Sequence, residues 1–396
     1  MNTPAPTLGQ VLRVALRGGR LKLPRAHWKI LNVLAACRTP ALGGHRYWCS
    51  QCGQEHFVPH ACGNRHCPQC QAAQAVEWLE RQESALLPIP YFHVVFTLPH
   101  LLNPLIRQNR RAMFKLLFDS AAQTLLAFGR NDLKAQLGIT AVLHTWGQSL
   151  VEHYHLHCIV TGGGLALDGS GWQRTSKHFL FPVRALSKVF GGKFRAGLQQ
   201  LHAEGKLEFH GRISALARPT VLGRLLHKLK SIRSVVYAKR PFAGPEQVLA
   251  YLSRYTHRVA LGNRRLLAAD QQSVTFSYKD YADGARRKTM RLSVEEFVRR
   301  FCLHLLPERF VKIRHYGLLG NRNRAQRIEQ ARQCLGVSTQ GQPDAATAPP
   351  KTTAQTGSEK TPRLRCPHCG ADTLVWVQEV PRWLRWIRPV LVCDSS

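Results

Sequence analysis

The chain has 396 residues, enough for two or three domains, and 44% of them are hydrophobic, as in an ordinary globular protein. Its charge is not ordinary, because 56 Lys and Arg against 23 Asp and Glu give a formal net charge of +33. A positive field of this size favours a nucleic-acid partner. No apolar stretch reaches the roughly 20 residues that span a bilayer, and the first residues do not resemble a signal peptide. We therefore expect no membrane partner and a cytoplasmic location.

Residues 1–87 are expected to form a basic, helical start (Leu8 to Leu34), then a cysteine-rich stretch, then a helix (Gln71 to Leu87). The chain has 12 cysteines, and six of them lie between Cys37 and Cys70. In a cytosolic protein, such clustering indicates metal ligation rather than disulfides.

Two Cys-x-x-Cys pairs, 14 residues apart, predict one four-thiolate site for a structural Zn²⁺ ion in a zinc-ribbon-like module. The predicted ligands are Cys49, Cys52, Cys67 and Cys70. Cys37, Cys62 and His66 lie nearby, either as buried structural residues or as a ligand swap or second metal site. Arg65 is expected to face DNA phosphates.

Residues 88–320 have a mixed α and β pattern. A β-branched and aromatic run predicts a strand over Tyr91–Leu98, and a long helical pattern covers Asn103–Gly129. Strands over Gly138–Trp146 and Tyr154–Val160 are close enough in sequence to pair as a hairpin. This order predicts an α+β fold with an antiparallel sheet and helices on one face.

The second of these strands carries histidines at alternate positions, so that His153, His155 and His157 share a face. We interpret His155 and His157 as ligands of a catalytic divalent ion. The third ligand is assigned to Gln148, with His144 and His153 as alternatives. Two imidazoles and an amide suit Mn²⁺, or Mg²⁺ when phosphate adds oxygens. Gly162–Gly164 is expected to be a turn, although it would also permit a close backbone approach.

A proline at position 245 predicts a helix to about Val259, and a capping box at Ser293 predicts another to about Leu305. The first helix places Tyr251 and Tyr255 on one face, four residues apart. Ordinary packing explains such a stripe, but the two phenols are also candidate nucleophiles for DNA phosphates. The arginines expected to bind DNA or stabilise the phenolates are Arg254, Arg258, Arg264 and Arg265.

The C-terminal part is divided into a basic, then low-complexity linker over residues 321–362 and a tail over residues 363–396. The linker is expected to be largely disordered. The tail carries Cys366 and Cys369, half of a zinc knuckle, with no second pair after it.

Taken together, these motifs resemble the rolling-circle insertion-sequence transposases of the HUH class with two tyrosines, the insertion-sequence-ninety-one type. The resemblance covers roughly residues 30 to 320. The motifs that carry it are Cys49/Cys52/Cys67/Cys70 with residues 64–68, residues 92–99, His155-Leu-His157-Cys with residues 162–164, residues 251–258 and residues 312–317.

The resemblance implies an HUH endonuclease domain over residues 88–320. It implies metal-dependent cleavage of single-stranded DNA at transposon ends, and joining to target DNA through 5′-phosphotyrosine intermediates. The metal role is carried onto His155 and His157, with Mg²⁺ or Mn²⁺ as the ion, and the nucleophile role onto Tyr251 and Tyr255. Such a protein would be associated with the nucleoid.

Three alternatives remain open from the sequence. A non-catalytic, zinc-dependent DNA-binding regulator would share the charge and the cysteine module. A recombinase of the DDE kind would need three metal-binding acids, and acidic residues are scarce here. A plasmid relaxase or replication initiator would share the tyrosine chemistry.

Overall fold

The computed structural model describes residues 5–19, 21–83, 86–176, 180–232, 235–242, 247–248, 259–337 and 365–383. The helices in these ranges are α1 Leu8–Arg17, α2 Arg25–Ala35, α3 Pro68–Glu83, α4 Asn103–Gln108, α5 Arg110–Asn131, α6 Val183–Ala203, α7 Pro219–Ser231, α8 Val294–Cys302 and α9 Arg324–Cys334. Short 3-10 helices occur at Pro40–Leu42, His100–Leu102, Gly211–Ala217 and Asn263–Arg265.

The strands form three sheets. Their bounds are β1 Gly44–Cys49, β2 Glu55–Pro59, β3 Tyr91–Thr97, β4 Ala135–Trp146, β5 Glu152–Ala166, β6 Trp172–Arg174, β7 Val235–Phe242, β8 Leu266–Ala269, β9 Ser273–Asp280, β10 Arg286–Ser293, β11 Ile313–Gly317 and β12 Leu374–Val380. The orders are β12-β1-β2, β10-β9-β8 and, in the large sheet, β11-β4-β5-β3-β7 with β6 beside β5.

The large sheet is antiparallel throughout, and its centre is the predicted hairpin of β4 and β5. Helices α5 and α6 pack together and cover one face, where Phe96, Leu143 and Leu156 are buried with Phe114 and Phe190. The α+β class and the antiparallel sheet with helices on one face are thus confirmed. Fully burying a side chain of this size contributes about 1.5–3 kcal/mol. This layer is the main core because it contains the largest cluster of buried side chains in the described residues.

The glycine run does not form the predicted turn. Gly162–Gly164 lies inside β5, and each glycine allows a neighbouring segment to come close. A Cβ on Gly164 would collide with the carbonyl of Gln136 on β4, and Gly163 has a φ of +145°. The run therefore keeps a long strand continuous where side chains would not fit.

The N-terminal region has its own core. The predicted helical start is two helices, α1 and α2, separated by residues 18–24, and the Thr7 side chain caps α1 by accepting from the Gln10 N–H. Both helices pack with α8 and the sheet β10-β9-β8. Helix α8 begins after Ser293, as predicted, and the Ser293 hydroxyl accepts from the Glu296 N–H.

The predicted linker and tail need correction. Helix α9 lies inside the range 321–362, because Ile328 and Ala331 are buried against Leu318 and Leu319. Residues 338–364 lie outside the described ranges. The tail is not separate from the N-terminal module, since β12 pairs with β1.

The predicted helix from Pro245 to Val259 is described at Gln247 and Val248, which are helical. Among the described residues, we find no helix with the length and hydropathy needed to cross a membrane.

Candidate active site

Three histidines meet on the face of the large sheet opposite α5 and α6. His155 and His157 project from β5, and His144 lies directly opposite His155 on β4. Ring nitrogens of the three lie within 4.8 Å of one another, and the Nε2 atoms of His155 and His157 are 3.1 Å apart. We call this group the histidine trio.

Two hydrogen bonds orient the imidazoles of the trio. His155 Nδ1 lies 2.9 Å from the carbonyl oxygen of His153, to which it donates, so His155 Nε2 keeps its lone pair. His157 Nδ1 lies 2.9 Å from Nε2 of His93, a buried histidine on β3. With His157 Nδ1 as the donor, its Nε2 carries the lone pair that a metal ion needs, and metal-binding histidines usually donate through the other ring nitrogen in this way.

Burial favours the neutral form of His155. It lowers the pKa of His155 to about 4, with a smaller contribution from His153. His144 and His157 are buried. A neutral imidazole is the form that binds a metal ion, so the three rings fit a divalent ion with open coordination positions.

His144, one of the two alternatives for the third ligand, lies with His155 and His157 in the trio, whereas the position of the first choice, Gln148, is different. Gln148 lies in the turn beyond Trp146, and its backbone carbonyl oxygen accepts from the Arg265 guanidinium. His153 is also outside the trio, because its Nδ1 lies 3.2 Å from Nε2 of His100. His93 was not foreseen as a partner of the trio, although strand alternation places it on the same face as Tyr91 and Val95.

Tyr251 and Tyr255 lie outside the described residues, as do Arg254 and Arg258. The residues on either side of this segment are described. Val248 is buried against Ile159 and Tyr91, on the face of the sheet that carries the trio. Val259 and Ala260 line a small cavity with Trp146, whose ring stacks on His144 at a centroid distance of 4.6 Å.

The other predicted DNA-binding arginines differ in their surroundings. Arg264 is exposed. Arg265 is half-buried, donates from Nε to the Ser277 carbonyl at 2.8 Å and also contacts the carbonyl of Gln148. Arg65 is half-buried and donates to the carbonyl of Phe310. Arg65 and Arg265 therefore tie segments of this chain together, and Arg264 is the one that faces solvent.

The cysteines form two clusters rather than the predicted one. The first is Cys37, Cys62, Cys67 and Cys70, and the second is Cys49, Cys52, Cys366 and Cys369. The predicted pairing of Cys49 and Cys52 with Cys67 and Cys70 is wrong, because Cys49 ends the β1 strand that pairs with β12, whereas Cys67 and Cys70 begin α3 beside the end of α2.

Sulfur–sulfur distances in both clusters match tetrahedral zinc. They are 3.5–3.7 Å in the first cluster and 3.6 Å in the second. A tetrahedron with Zn–S bonds of about 2.3 Å has edges of about 3.8 Å. His66 belongs to neither cluster, and its Nε2 accepts from the Leu306 N–H at 3.3 Å.

Comparisons with known proteins identify a family for the chain. Residues 14–98 match a transposase zinc-binding domain, and residues 138–327 match a family described as putative transposase. The chain is 43% identical over 368 residues to "Putative transposase y4qJ" of Sinorhizobium fredii, covering 92% of each chain. It is 27% identical over 353 residues to "Transposase for insertion sequence element IS801" of Pseudomonas savastanoi pv. phaseolicola, covering 86% of this chain and 81% of that protein. No solved structure matches the chain significantly.

The second matched region contains the trio and the tyrosine pair, and the first contains six of the eight clustered cysteines. A transposase acts on DNA, which agrees with the net charge of +33. The chain belongs to the family of IS91-type transposases with an N-terminal zinc-binding domain.

Proposed function

We propose that this transposase cleaves and rejoins single-stranded DNA at the ends of its element, by the HUH chemistry of rolling-circle transposition. The histidine trio holds a divalent ion, and Tyr251 and Tyr255 are the nucleophiles. The observation that carries the proposal is the trio itself, three imidazoles whose ring nitrogens lie within 4.8 Å of one another on one face of the sheet.

The anchors of the tyrosine segment support this assignment. Ile159, which packs against Val248, is two residues from His157, and Trp146, beside Val259, is two residues from His144. The segment between Val248 and Val259 therefore starts and ends on either side of the trio. Tyr251 follows Val248 by three residues, a distance of at most about 11 Å along the chain.

The donor set bears on the choice of metal. With His144 in place of Gln148, all three protein ligands are nitrogen atoms. Imidazole suits transition metals, whereas Mg²⁺ prefers oxygen, so we expect Mn²⁺ to support cleavage better than Mg²⁺. When bound, the ion would contact a phosphate oxygen and offset negative charge that develops on the phosphate.

The chain's own residues supply the rest of the reaction. A tyrosine oxygen attacks the phosphorus, so that a Tyr–O–P bond forms and the P–O3′ bond breaks. The phenol loses its proton, and the 3′ oxygen leaves and gains one. A second phenol can attack another strand while the first remains bonded. A free phenol has a pKa near 10, so nearby positive charge is needed to favour the phenolate.

Substrate binding is assigned to basic side chains near the segment. Exposed Arg264 is the described candidate for a phosphate contact, and Arg254 and Arg258 belong to the proposed nucleophile segment. Transposon ends and target DNA would be the partners, which would associate the protein with the nucleoid.

A covalent adduct assay tests the proposal. Purified protein is incubated with labelled single-stranded DNA carrying the element's ends and Mn²⁺, and adducts are resolved on a denaturing gel. We expect covalent adducts from the parent and none from the double variant. The single variants Tyr251→Phe and Tyr255→Phe should each give fewer adducts or adducts of a different kind. Tyr281→Phe, at a tyrosine with 70% of its surface exposed, is the matched control.

Two results would overturn the proposal. Cleavage that persists in the double variant would indicate a reaction without a tyrosine nucleophile, as in a DDE recombinase. DNA binding without any adduct across the element's ends would indicate a regulator.

A further inference from the structure

The second cysteine cluster joins parts of the chain that are far apart in sequence. Cys49 and Cys52 lie at the end of β1, and Cys366 and Cys369 lie just before β12. Their sulfur atoms meet in pairs, Cys49 with Cys369 and Cys52 with Cys366, each at 3.6 Å. The second pair is separated by 314 residues.

The cysteine count requires ligands from outside the matched zinc-binding domain. Residues 14–98 contain six clustered cysteines, four of which form the first cluster. Cys49 and Cys52 are left, and two thiolates cannot complete a closed tetrahedral site. The two that complete it, Cys366 and Cys369, lie beyond both matched regions.

Both halves of the second cluster have the same backbone turn. In each, a glycine follows the second cysteine with a left-handed φ, +65° at Gly53 and +78° at Gly370. Each glycine N–H donates to the carbonyl of the first cysteine, Gly53 to Cys49 at 2.9 Å and Gly370 to Cys366 at 2.8 Å. These are matching halves of one metal site.

Polar groups around the sulfur atoms fit thiolates. The Thr373 hydroxyl lies 3.1 Å from Cys49 Sγ, and His56 Nε2 lies 3.2 Å from Cys366 Sγ. Donors in these positions stabilise the charge of metal-bound sulfur, as outer ligands commonly do.

Little apolar packing holds the C-terminal segment in place. Within the described residues 365–383, Cys366 is the one buried residue. The large side chains of β12 are exposed, including Val375 at 55% and Trp376 at 57%. Backbone pairing with β1 alone is a weak attachment for a short edge strand.

We propose that Cys49, Cys52, Cys366 and Cys369 bind a second structural zinc ion, and that this ion holds residues 365–383 against the N-terminal hairpin. The first cluster folds the helical module around α2 and α3. The second cluster connects the β1–β2 hairpin to residues 365–383, and we call it the zinc clasp.

Zinc content tests the site directly. Metal per chain is measured by mass spectrometry on the purified full chain. We expect Cys366→Ser/Cys369→Ser to contain one zinc ion fewer than the parent, and Cys49→Ser/Cys52→Ser to lose the same single ion. All four changes together should also lose one. Cys334→Ser, at an exposed cysteine outside both clusters, should lose none.

Alkylation gives a second readout that also reports folding. Cys334 and Cys369 are both exposed, so without metal both should react with iodoacetamide. In the zinc-loaded parent we expect Cys334 to react and Cys369 to be protected. In Cys49→Ser/Cys52→Ser, Cys366 and Cys369 should lose protection, while fully buried Cys158 stays unreactive and shows that the sheet is folded.

The proposal is overturned if the Cys366→Ser/Cys369→Ser variant keeps the parent's zinc content. It is equally overturned if Cys369 reacts as fast as Cys334 in the zinc-loaded parent. Neither readout depends on DNA cleavage, so the outcome is independent of the nucleophile assignment.

Discussion

The two faces of the large sheet are built from the same strands, but one face is an apolar core and the other carries the histidine trio. On β5, Leu156 and Cys158 are completely buried beneath α5 and α6. Their neighbours His155 and His157 face the other way and belong to the trio. One strand therefore supplies alternate residues to a core and to a site.

This division shows how stability and chemistry can be separated within a few residues. Side chains of successive strand residues project to opposite faces, so a change at one position leaves the other face nearly untouched. The following substitutions test whether the faces are as independent as the geometry indicates.

The largest expected effect is on stability. Leu156→Ala removes a completely buried side chain between His155 and His157, the two histidines of β5 that we propose as metal ligands. We expect the free energy of unfolding to fall by about 2–5 kcal/mol, from lost burial and the cavity that remains. Urea denaturation measures this, and cleavage per folded molecule should stay near the parent value. A selective loss of cleavage would show that the faces are coupled.

The converse change is His157→Ala. It removes one ligand of the trio, and we expect the rate of adduct formation to fall about 10²–10³-fold, as when one contact to a developing charge is lost. The free energy of unfolding should fall by less than in Leu156→Ala, about 1–3 kcal/mol, because buried His93 loses its hydrogen bond to His157. Binding of single-stranded DNA should persist. Normal cleavage by this variant would remove the metal role from the trio.

A smaller effect is expected at His93, which positions His157 without belonging to the trio. His93→Ala should weaken the apparent affinity for the Mn²⁺ that supports cleavage by about 10–100-fold, as for other residues that hydrogen-bond metal ligands. His93→Gln keeps an oxygen that can accept from His157 Nδ1 and should recover part of this affinity. The Mn²⁺ dependence of cleavage separates positioning from stability, since a purely structural role would leave that dependence unchanged.

The smallest effect concerns the start of β5. Buried Glu152 accepts from Arg107 Nε at 2.7 Å and from the Tyr154 hydroxyl at 2.6 Å. Arg107 is half-exposed, so solvent screens the pair, and we expect Glu152→Gln to cost about 1–2 kcal/mol at neutral pH.

This contribution depends on pH. Burial acts to raise the pKa of Glu152, but the hydrogen bonds from Arg107 and Tyr154 outweigh it and lower the pKa below 4.5. The stabilisation is therefore complete above about pH 4.5 and is lost as the pH falls through the lowered pKa. Unfolding measured from pH 7 to pH 3 should show the gap between parent and variant closing. A gap of constant size would contradict the charged pair.

Local patterns in the sequence were sufficient for β3, β4 and β5, the three strands around the site, and for two of its histidines. Alternation predicted that His155 and His157 share a face, and they do. The third ligand depended on register, which alternation does not supply. A β-bulge follows His144, and Leu150 adopts a positive φ of 60° in the turn. These details leave Gln148 in the turn and place His144 opposite His155.

The cysteine pairing failed for a different reason. Four cysteines within a short window satisfy every local rule for one zinc site. The observed division into two clusters depends on the contact of β1 with the distant segment that carries Cys366 and Cys369. Cys366 and Cys369 carried a visible signal, a half knuckle without a partner. Its partner lay about three hundred residues earlier, where sequence spacing gives no guide.

The zinc clasp also sets an order of events during synthesis. Cys366 leaves the ribosome 314 residues after Cys52, which at about 5–20 residues per second is roughly 15–60 s later. Over that interval Cys49 and Cys52 are translated but lack two ligands, while the first cluster already has all four. A nascent chain that stalls before Cys366 would thus carry an unfinished metal site, and only chains translated past Cys369 could close it.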